Sequence, residues 1–382
     1  MMARTAITLL FCVETFSRGL LLAIIPLKVL AFVGSMQGVA LFYAAVAVLG
    51  LGNSILVPTL LSRIGSRVVV AAAGFLIVCG VALVATDAIL GMALGLAIRV
   101  FAQSCLEISV LAYVMARIPR SELGAFEPVR IFFQGAALAI SPWLGFQLSE
   151  GANPSSPFYA AAGAGPIIAC LALIALPSVR PDLRTKLGQT PKETIQRFFA
   201  QPRLRLAWLL ALVRSSFWVI FYIYAPVFSV ACGWSPSEGA AVLSLGTATL
   251  FFVPIWGAMS RRFGARALLI GGYMMGALFL ALTAIGALFS PTIAPALLLS
   301  AAFAVAILDG SGNVPFLRAT RPHERAAMAG IYMTYRDVSQ FLPIVVFSLI
   351  LSVSQLASAF MFSAAFFLVA GRLAQSIHPR LR

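Results

Sequence analysis

Charge is scarce in this chain, and negative charge scarcest. Only 10% of its 382 residues are Asp, Glu, Lys or Arg, with 12 acids against 27 Lys and Arg. A soluble globule of this length must coat itself with polar side chains. At 61% hydrophobic residues and a mean hydropathy of +0.99 there are too few, so the sequence reads as an integral membrane protein. Histidine is nearly missing: His323 and His378 fall in a loop and in the tail. That excludes a histidine relay through the membrane and leaves proton carrying to carboxylates. The five cysteines, Cys12, Cys79, Cys105, Cys170 and Cys232, mostly lie inside apolar runs and show no paired spacing, so neither a disulfide framework nor a metal site is implied. Asn153 precedes Pro154, which removes the glycosylation sequon. No catalytic triad, nucleotide-binding loop or metal-ligand cluster is visible. Enzyme activity is therefore not expected, and no cofactor is implied.

What the chain does have is long apolar runs. Runs of about 20 residues suffice to cross a bilayer, and twelve are found, at 6–29, 38–60, 67–86, 88–115, 123–147, 157–177, 205–230, 237–259, 266–288, 292–316, 325–350 and 354–376. The first is too long for the h-region of a cleaved signal and ends without a small-residue cleavage site, so it is expected to stay in the membrane. The formal charge of +15 lies in the connections rather than on one face, which speaks for membrane orientation and against nucleic acid. Taken alternately, one set of connections and ends holds Arg4, Arg63, Arg67, Arg117, Arg120, the basic cluster from Arg180 to Arg205, Arg261, Arg262, Arg266, Arg318, Arg321, Arg325, Arg372, Arg380 and Arg382. The other set, near 31–37, 87, 148–156, 231–236, 289–291 and 351–353, holds none, with only Lys28 close by. Both termini are thus expected in the cytoplasm, as in a bacterial inner membrane.

The one long polar connection, 177–205, divides the spans six and six. A first half at 1–178, a linker at 179–204 and a second half at 205–382 follow. Residues 191–201 can form a short amphipathic helix on the inner leaflet, although a plain basic linker is the simpler reading. The halves repeat each other. VETFSRGLLLAIIP (13–26) and VRSSFWVIFYIYAP (213–226) align Val13 with Val213, Glu14 with Arg214 and Pro26 with Pro226 at an offset of 200. SRIGSRVVVAAAGF (62–75) aligns with RRFGARALLIGGYM (261–274), and an Arg-x-x-x-Gln pattern recurs as Arg130 to Gln134 and Arg336 to Gln340. An even number of spans between matching segments makes the repeats parallel, related by an axis along the membrane normal with a substrate site between them.

With these features the sequence resembles the major facilitator superfamily over its whole length. The family's loop motif, roughly G-x-x-x-D-R-x-G-x-R, is matched by PTLLSRIGSR (58–67), keeping Arg63, Gly65 and Arg67, and by GAMSRRFGAR (257–266), keeping Gly257, Arg262, Gly264 and Arg266. Ser62 and Arg261 stand where the family has aspartate. The resemblance implies an all-α membrane fold of twelve helices in two six-helix halves, with these loops as gates. IRVFAQS (98–104) and ISPWLG (140–145) are similar to elements of the drug/proton antiporter branch, as is Glu14 twelve residues before Pro26.

Charges buried in a membrane are costly and mark function by default. Glu14 is the first candidate for proton coupling, joined by Glu107, Asp309 and Asp337. Pairing of Glu14 with Arg18 one turn on, or with Arg214 of the other half, is the competing role. Arg99, Gln103 and Glu107 share a stripe by their spacing of four. There Arg99 either modulates the acid or clamps backbone carbonyls of a neighbouring span. Arg336 suits a substrate carboxylate or phosphate through two parallel hydrogen bonds, or else pairs with Asp337 or Asp309. Tyr332 and Gln340 share its face. Glu127 sits close enough to the end of its span to be solvated. Arg18, Arg130, Gln134, Arg214, Trp218, Tyr222 and Asn313 complete the expected substrate-binding set. DGSGN (309–313) imitates part of a calcium loop but lacks the remaining ligands.

The function expected is proton-coupled secondary transport by alternating access, exporting a small anionic or zwitterionic organic molecule. The partners are that substrate, protons and membrane lipid, with the chain acting as a monomer. An importer or uniporter of an organic acid, or a non-transporting assembly factor, is the competing reading.

Overall fold

A computed structural model describes residues 2–50, 53–117, 120–176, 178, 191–320 and 325–377, with the side chains at 2–4, 54–55, 111–131, 191–194, 325–327 and 329–330 outside the description. The chain divides into two compact units, one of Met1–Gly34 and Phe42–Thr185, the other of Ser35–Leu41 and Lys186–Arg382. No strand occurs among the described residues.

In the first part of the chain the helices are α1 (Met2–Leu20), α2 (Ile24–Val33), α3 (Met36–Gly50), α4 (Asn53–Ile64), α5 (Ser66–Ala85), α6 (Ile89–Arg117), α7 (Arg120–Glu150) and α8 (Ser156–Ala175). In the second they are α9 (Pro191–Ala200), α10 (Pro202–Ala231), α11 (Pro236–Ala248), α12 (Val253–Phe263), α13 (Ala265–Phe289), α14 (Ala294–Asp309), α15 (Val314–Ala319), α16 (Arg325–Leu351) and α17 (Leu356–Ala374). Ten segments are long and apolar enough to cross a bilayer among the described residues. The other two expected spans fall on the α3–α4 pair and on α7, where undescribed residues interrupt the reading.

Several spans are broken, and the sequence explains where. Pro26 cannot donate to the carbonyl of Leu22, and α1 gives way to α2 through a turn over Leu21–Ala23. There the amides of Leu21 and Leu22 reach back only three residues, to Arg18 and Gly19. Its sequence twin Pro226 sits inside an unbroken α10. The difference lies in packing. Gly145 of ISPWLG lies against the Leu20 carbonyl so closely that a Cβ would overlap it, and Ser141 fills the space a Cβ on Gly19 would need. The turn in span 1 is thus seated on α7. Close backbone approach also joins α5 to α8, where Gly74 and Gly165 meet each other's carbonyls.

The four residues with positive φ among those described are glycines: Gly34 (66°), Gly65 (84°), Gly233 (87°) and Gly264 (92°). They form two pairs at a near-constant offset, the first after spans 1 and 7 and the second inside the two loop motifs. Only glycine takes this region without strain, which explains why both loop copies keep it. The following arginines act alike. Arg67 donates to the Leu173 carbonyl at the end of α8, and Arg266 Nη2 to the Gln375 carbonyl at the end of α17 at 2.6 Å. Each places a cation where a helix exposes unpaired carbonyls. Arg63 and Arg262 are exposed, the latter lying over the Phe263 ring at 5.4 Å.

The linker region 191–201 is part of the second unit rather than a free strap. α9 inserts Phe198, which is fully buried, into a cluster with Leu204, Ala211, Phe316, Tyr332 and Tyr335. Phe199 meets the Trp208 ring edge-on at 5.7 Å, and Trp208 Nε1 donates to Thr334 Oγ1 at 3.1 Å.

Candidate functional site

In the first unit, α1 places Glu14 and Arg18 one turn apart, and Arg18 Nε donates to Glu14 Oε1 at 3.2 Å. Thr15 Oγ1 donates to the other carboxylate oxygen at 3.3 Å. Glu14 is only 7% exposed, and a crevice with no room for a water molecule beside it is lined by Leu10, Phe11, Leu106 and Val110. α6 brings Arg99 alongside, where its Nη2 donates to the Ser17 carbonyl at 3.3 Å within electrostatic reach of Glu14 and Arg18. Arg99 thus makes the contact to a backbone carbonyl of span 1 that the clamp reading expects. Further along α6, Gln103 Nε2 donates to Glu107 Oε1 at 3.0 Å, as the four-residue stripe required. Gln134 is half-buried on α7, and Arg130 and Glu127 lie outside the described side chains.

Lys28, the one base near the sparse connections, is accounted for locally. Its Nζ lies 3.1 Å from Asp87 and donates to the carbonyls of Ala85 and Thr86, each at 3.3 Å, at the end of α5.

In the second unit, Arg214 of α10 is 6% exposed and pairs with Asp309 at the end of α14, Nε to Oδ1, at 3.4 Å. Its Nη1 donates to the Leu308 carbonyl at 3.3 Å and its Nη2 to Asn313 Oδ1 at 3.5 Å. Trp218 Nε1 donates to Asp309 Oδ2 at 2.9 Å, and Tyr332 Oη to Asn313 Oδ1 at 3.1 Å. Tyr332 is stacked on Phe316 with centroids 4.1 Å apart, and Tyr222 stacks on Trp218 at 5.9 Å. Five expected residues, Arg214, Trp218, Asp309, Asn313 and Tyr332, thus form a single network.

The expected stripe of Tyr332, Arg336 and Gln340 is split. Tyr332 turns into the core, while Arg336 and Gln340 are exposed, as is Asp337. The Arg336 guanidinium has no partner among the described residues, and Asp309 is taken by Arg214. Likewise Glu14 and Arg214 do not need each other, since each finds its counter-ion inside its own unit.

Some contributors escaped the sequence reading. Ser215 and Ser339 share a hydrogen bond of 2.8 Å between α10 and α16, Tyr273 donates to the Leu210 carbonyl at 2.5 Å, and Ser17 donates to the Ala161 carbonyl at 2.7 Å. Isolated Ser and Tyr in apolar runs carry no spacing signal, so nothing in the pattern marked them. Gly312 clears the space that Arg214 Nη1 and Cζ occupy.

The sequence pattern of the Major Facilitator Superfamily matches residues 7–344, and the chain belongs to that family. It is a multi-pass membrane protein and a secondary transporter of the major facilitator type, not an enzyme. No curated protein matches it. Among solved structures it is similar to the nucleoside transporter NupG at 14% identity and a TM-score of 0.74, covering 99% of each chain. It is likewise similar to a POT peptide transporter in complex with sulfate, at 15% identity and 0.75 over 99% of this chain and 94% of that one. A D-xylose-proton symporter gives 13% and 0.75 over 100% and 97%. At such identities the likeness is one of fold.

Proposed function

We propose that this protein couples proton movement to export of a small anionic or zwitterionic organic molecule by alternating access, its halves 1–178 and 205–382 rocking about the substrate. The observation that carries the reading is the contrast between two arginines of the second unit. Arg214 is engaged at each nitrogen by protein oxygens, whereas Arg336 is exposed and has no partner among the described residues. An unpaired guanidinium within a span is a standing demand for an anion, and its fork fits carboxylate or phosphate.

Proton coupling is assigned to Glu14. Its carboxylate is buried against Arg18, so protonation abolishes that ion pair and changes the balance between conformations. Because the Glu14–Arg18 and Arg214–Asp309 pairs each lie within one unit, rocking need not pull either pair apart. Glu107, Asp309 and Asp337 remain secondary carriers. The two loop motifs act as gates, both termini lie in the cytoplasm of a bacterial inner membrane, and the monomer is the working form.

The direction of transport rests on the antiporter-like ISPWLG, whose Gly145 and Ser141 seat the turn in span 1. The opposite direction has one observation in its favour, since a similar fold belongs to a protein described as a D-xylose-proton symporter. The test is binding of a panel of organic acids and cationic drugs to purified protein across pH. Wild type is expected to prefer acids. Arg336→Ala should weaken acid binding by about tenfold or more, in line with loss of a charge-assisted hydrogen bond. Glu14→Gln should keep binding yet lose its pH dependence. Acid binding untouched by Arg336→Ala would remove the anionic substrate, and pH dependence preserved in Glu14→Gln would remove Glu14 from coupling.

A further inference from the structure

We infer that the interruption of span 10 is a cation-binding cage whose resident cation is the Arg214 side chain. Helix α14 stops at Asp309 and α15 resumes at Val314, so the turn between them presents oxygens that a continuous helix would use internally. The guanidinium is surrounded by one such oxygen, the Leu308 carbonyl at Nη1, and by two side-chain oxygens from the ends of the turn, Asp309 Oδ1 at Nε and Asn313 Oδ1 at Nη2.

The cage is held by residues other than its occupant. Trp218 fixes the second Asp309 oxygen, and Tyr332 fixes Asn313. Gly312 leaves the volume open, because a Cβ there would fall on Nη1 and Cζ of Arg214. The same turn contains a further oxygen, the Ser311 hydroxyl, buried with 2% exposure and without a hydrogen-bond partner among the described residues. Unwound carbonyls and side-chain oxygens at a broken helix are the means by which transporters of other folds hold a mobile sodium ion. Here a tethered planar cation occupies that arrangement. Two consequences follow. Arg214 is not available to a substrate anion, and this turn needs no dissolved cation to hold its shape.

The test is thermal unfolding of the purified full-length protein in detergent. Wild type is expected to melt at the same temperature in sodium, potassium or choline chloride and to gain nothing from millimolar guanidinium. Arg214→Ala should melt lower and recover saturably with guanidinium or methylguanidinium, because a ligand bound only by the folded form raises its stability. Urea and choline at equal concentration should have no effect. Recovery should vanish when Asp309→Asn is added. Absence of recovery in a monodisperse Arg214→Ala sample, equal recovery in the double variant, or stabilisation of wild type by sodium would each overturn the inference. Where Arg214→Ala does not accumulate, Arg214→Lys decides: the compact ammonium cannot satisfy three oxygens set for a planar fork, so a lower melting temperature is expected. A lysine variant as stable as wild type would contradict the cage.

Discussion

Each buried ion among the described residues is a small problem in desolvation, and its solution is local. A charge removed from water is tolerated when its counter-ion and remaining hydrogen bonds are supplied within reach. Arg214 receives three oxygens, and Glu14 receives Arg18 and Thr15; the half-buried Lys28 is likewise met by exposed Asp87 and the end of a helix. Removing one member of the deepest pair should be severe. Asp309→Ala strands Arg214 and the Trp218 indole together, and a loss of about 3–5 kcal/mol is expected, read as a large fall in melting temperature or in recovery of monodisperse protein. A variant as stable as wild type would show that the carboxylate is dispensable to the fold. The individual charges were legible in the sequence, because an acid or base in an apolar run stands out at once. Their partners were not. Whether Glu14 meets Arg18 or Arg214, and whether Asp309 serves Arg214 or Arg336, depends on depth and rotation of neighbouring helices that no spacing along one chain records.

At the level of the element, periodicity reveals a helix but not its neighbours. Both loop motifs showed in the sequence the glycines that the backbone requires, and Gly65 and Gly264 do adopt positive φ. Pro26 and Pro226, by contrast, are sequence twins with different outcomes, since only span 1 breaks where Gly145 and Ser141 offer it a seat. The linker helix teaches the same lesson. Its pattern allowed an amphipathic helix but favoured a plain basic linker, and its burial against α10 and α16 depends on the cluster of Phe316, Tyr332 and Tyr335 that receives Phe198. Phe198→Ala removes a fully buried ring and is expected to cost about 3–5 kcal/mol. Because α9 is short, that loss should release it before the rest of the unit unfolds. Limited proteolysis should then cut near 191–200 faster in the variant than in wild type, with the second unit still folded. Equal cutting rates would show that the helix is held by something other than Phe198.

On the scale of the whole molecule, a duplicated block has been put to two uses. Backbone features survive in both copies: the loop glycines and the arginines that meet the ends of α8 and α17. The charged side chains have diverged, with Glu14 opposite Arg214 in the alignment, and each copy has kept its own counter-ion. On the proposed reading the first unit supplies the acid, Glu14, and the second a guanidinium, Arg336, that has no partner among the described residues, the two groups that coupling a proton to an anion would use. Reconstituted vesicles test that coupling most directly. Uptake of an organic acid that binds the purified protein should be driven by an imposed pH gradient and collapse when a protonophore dissipates it. The same accumulation with the gradient present, absent or dissipated would contradict proton coupling.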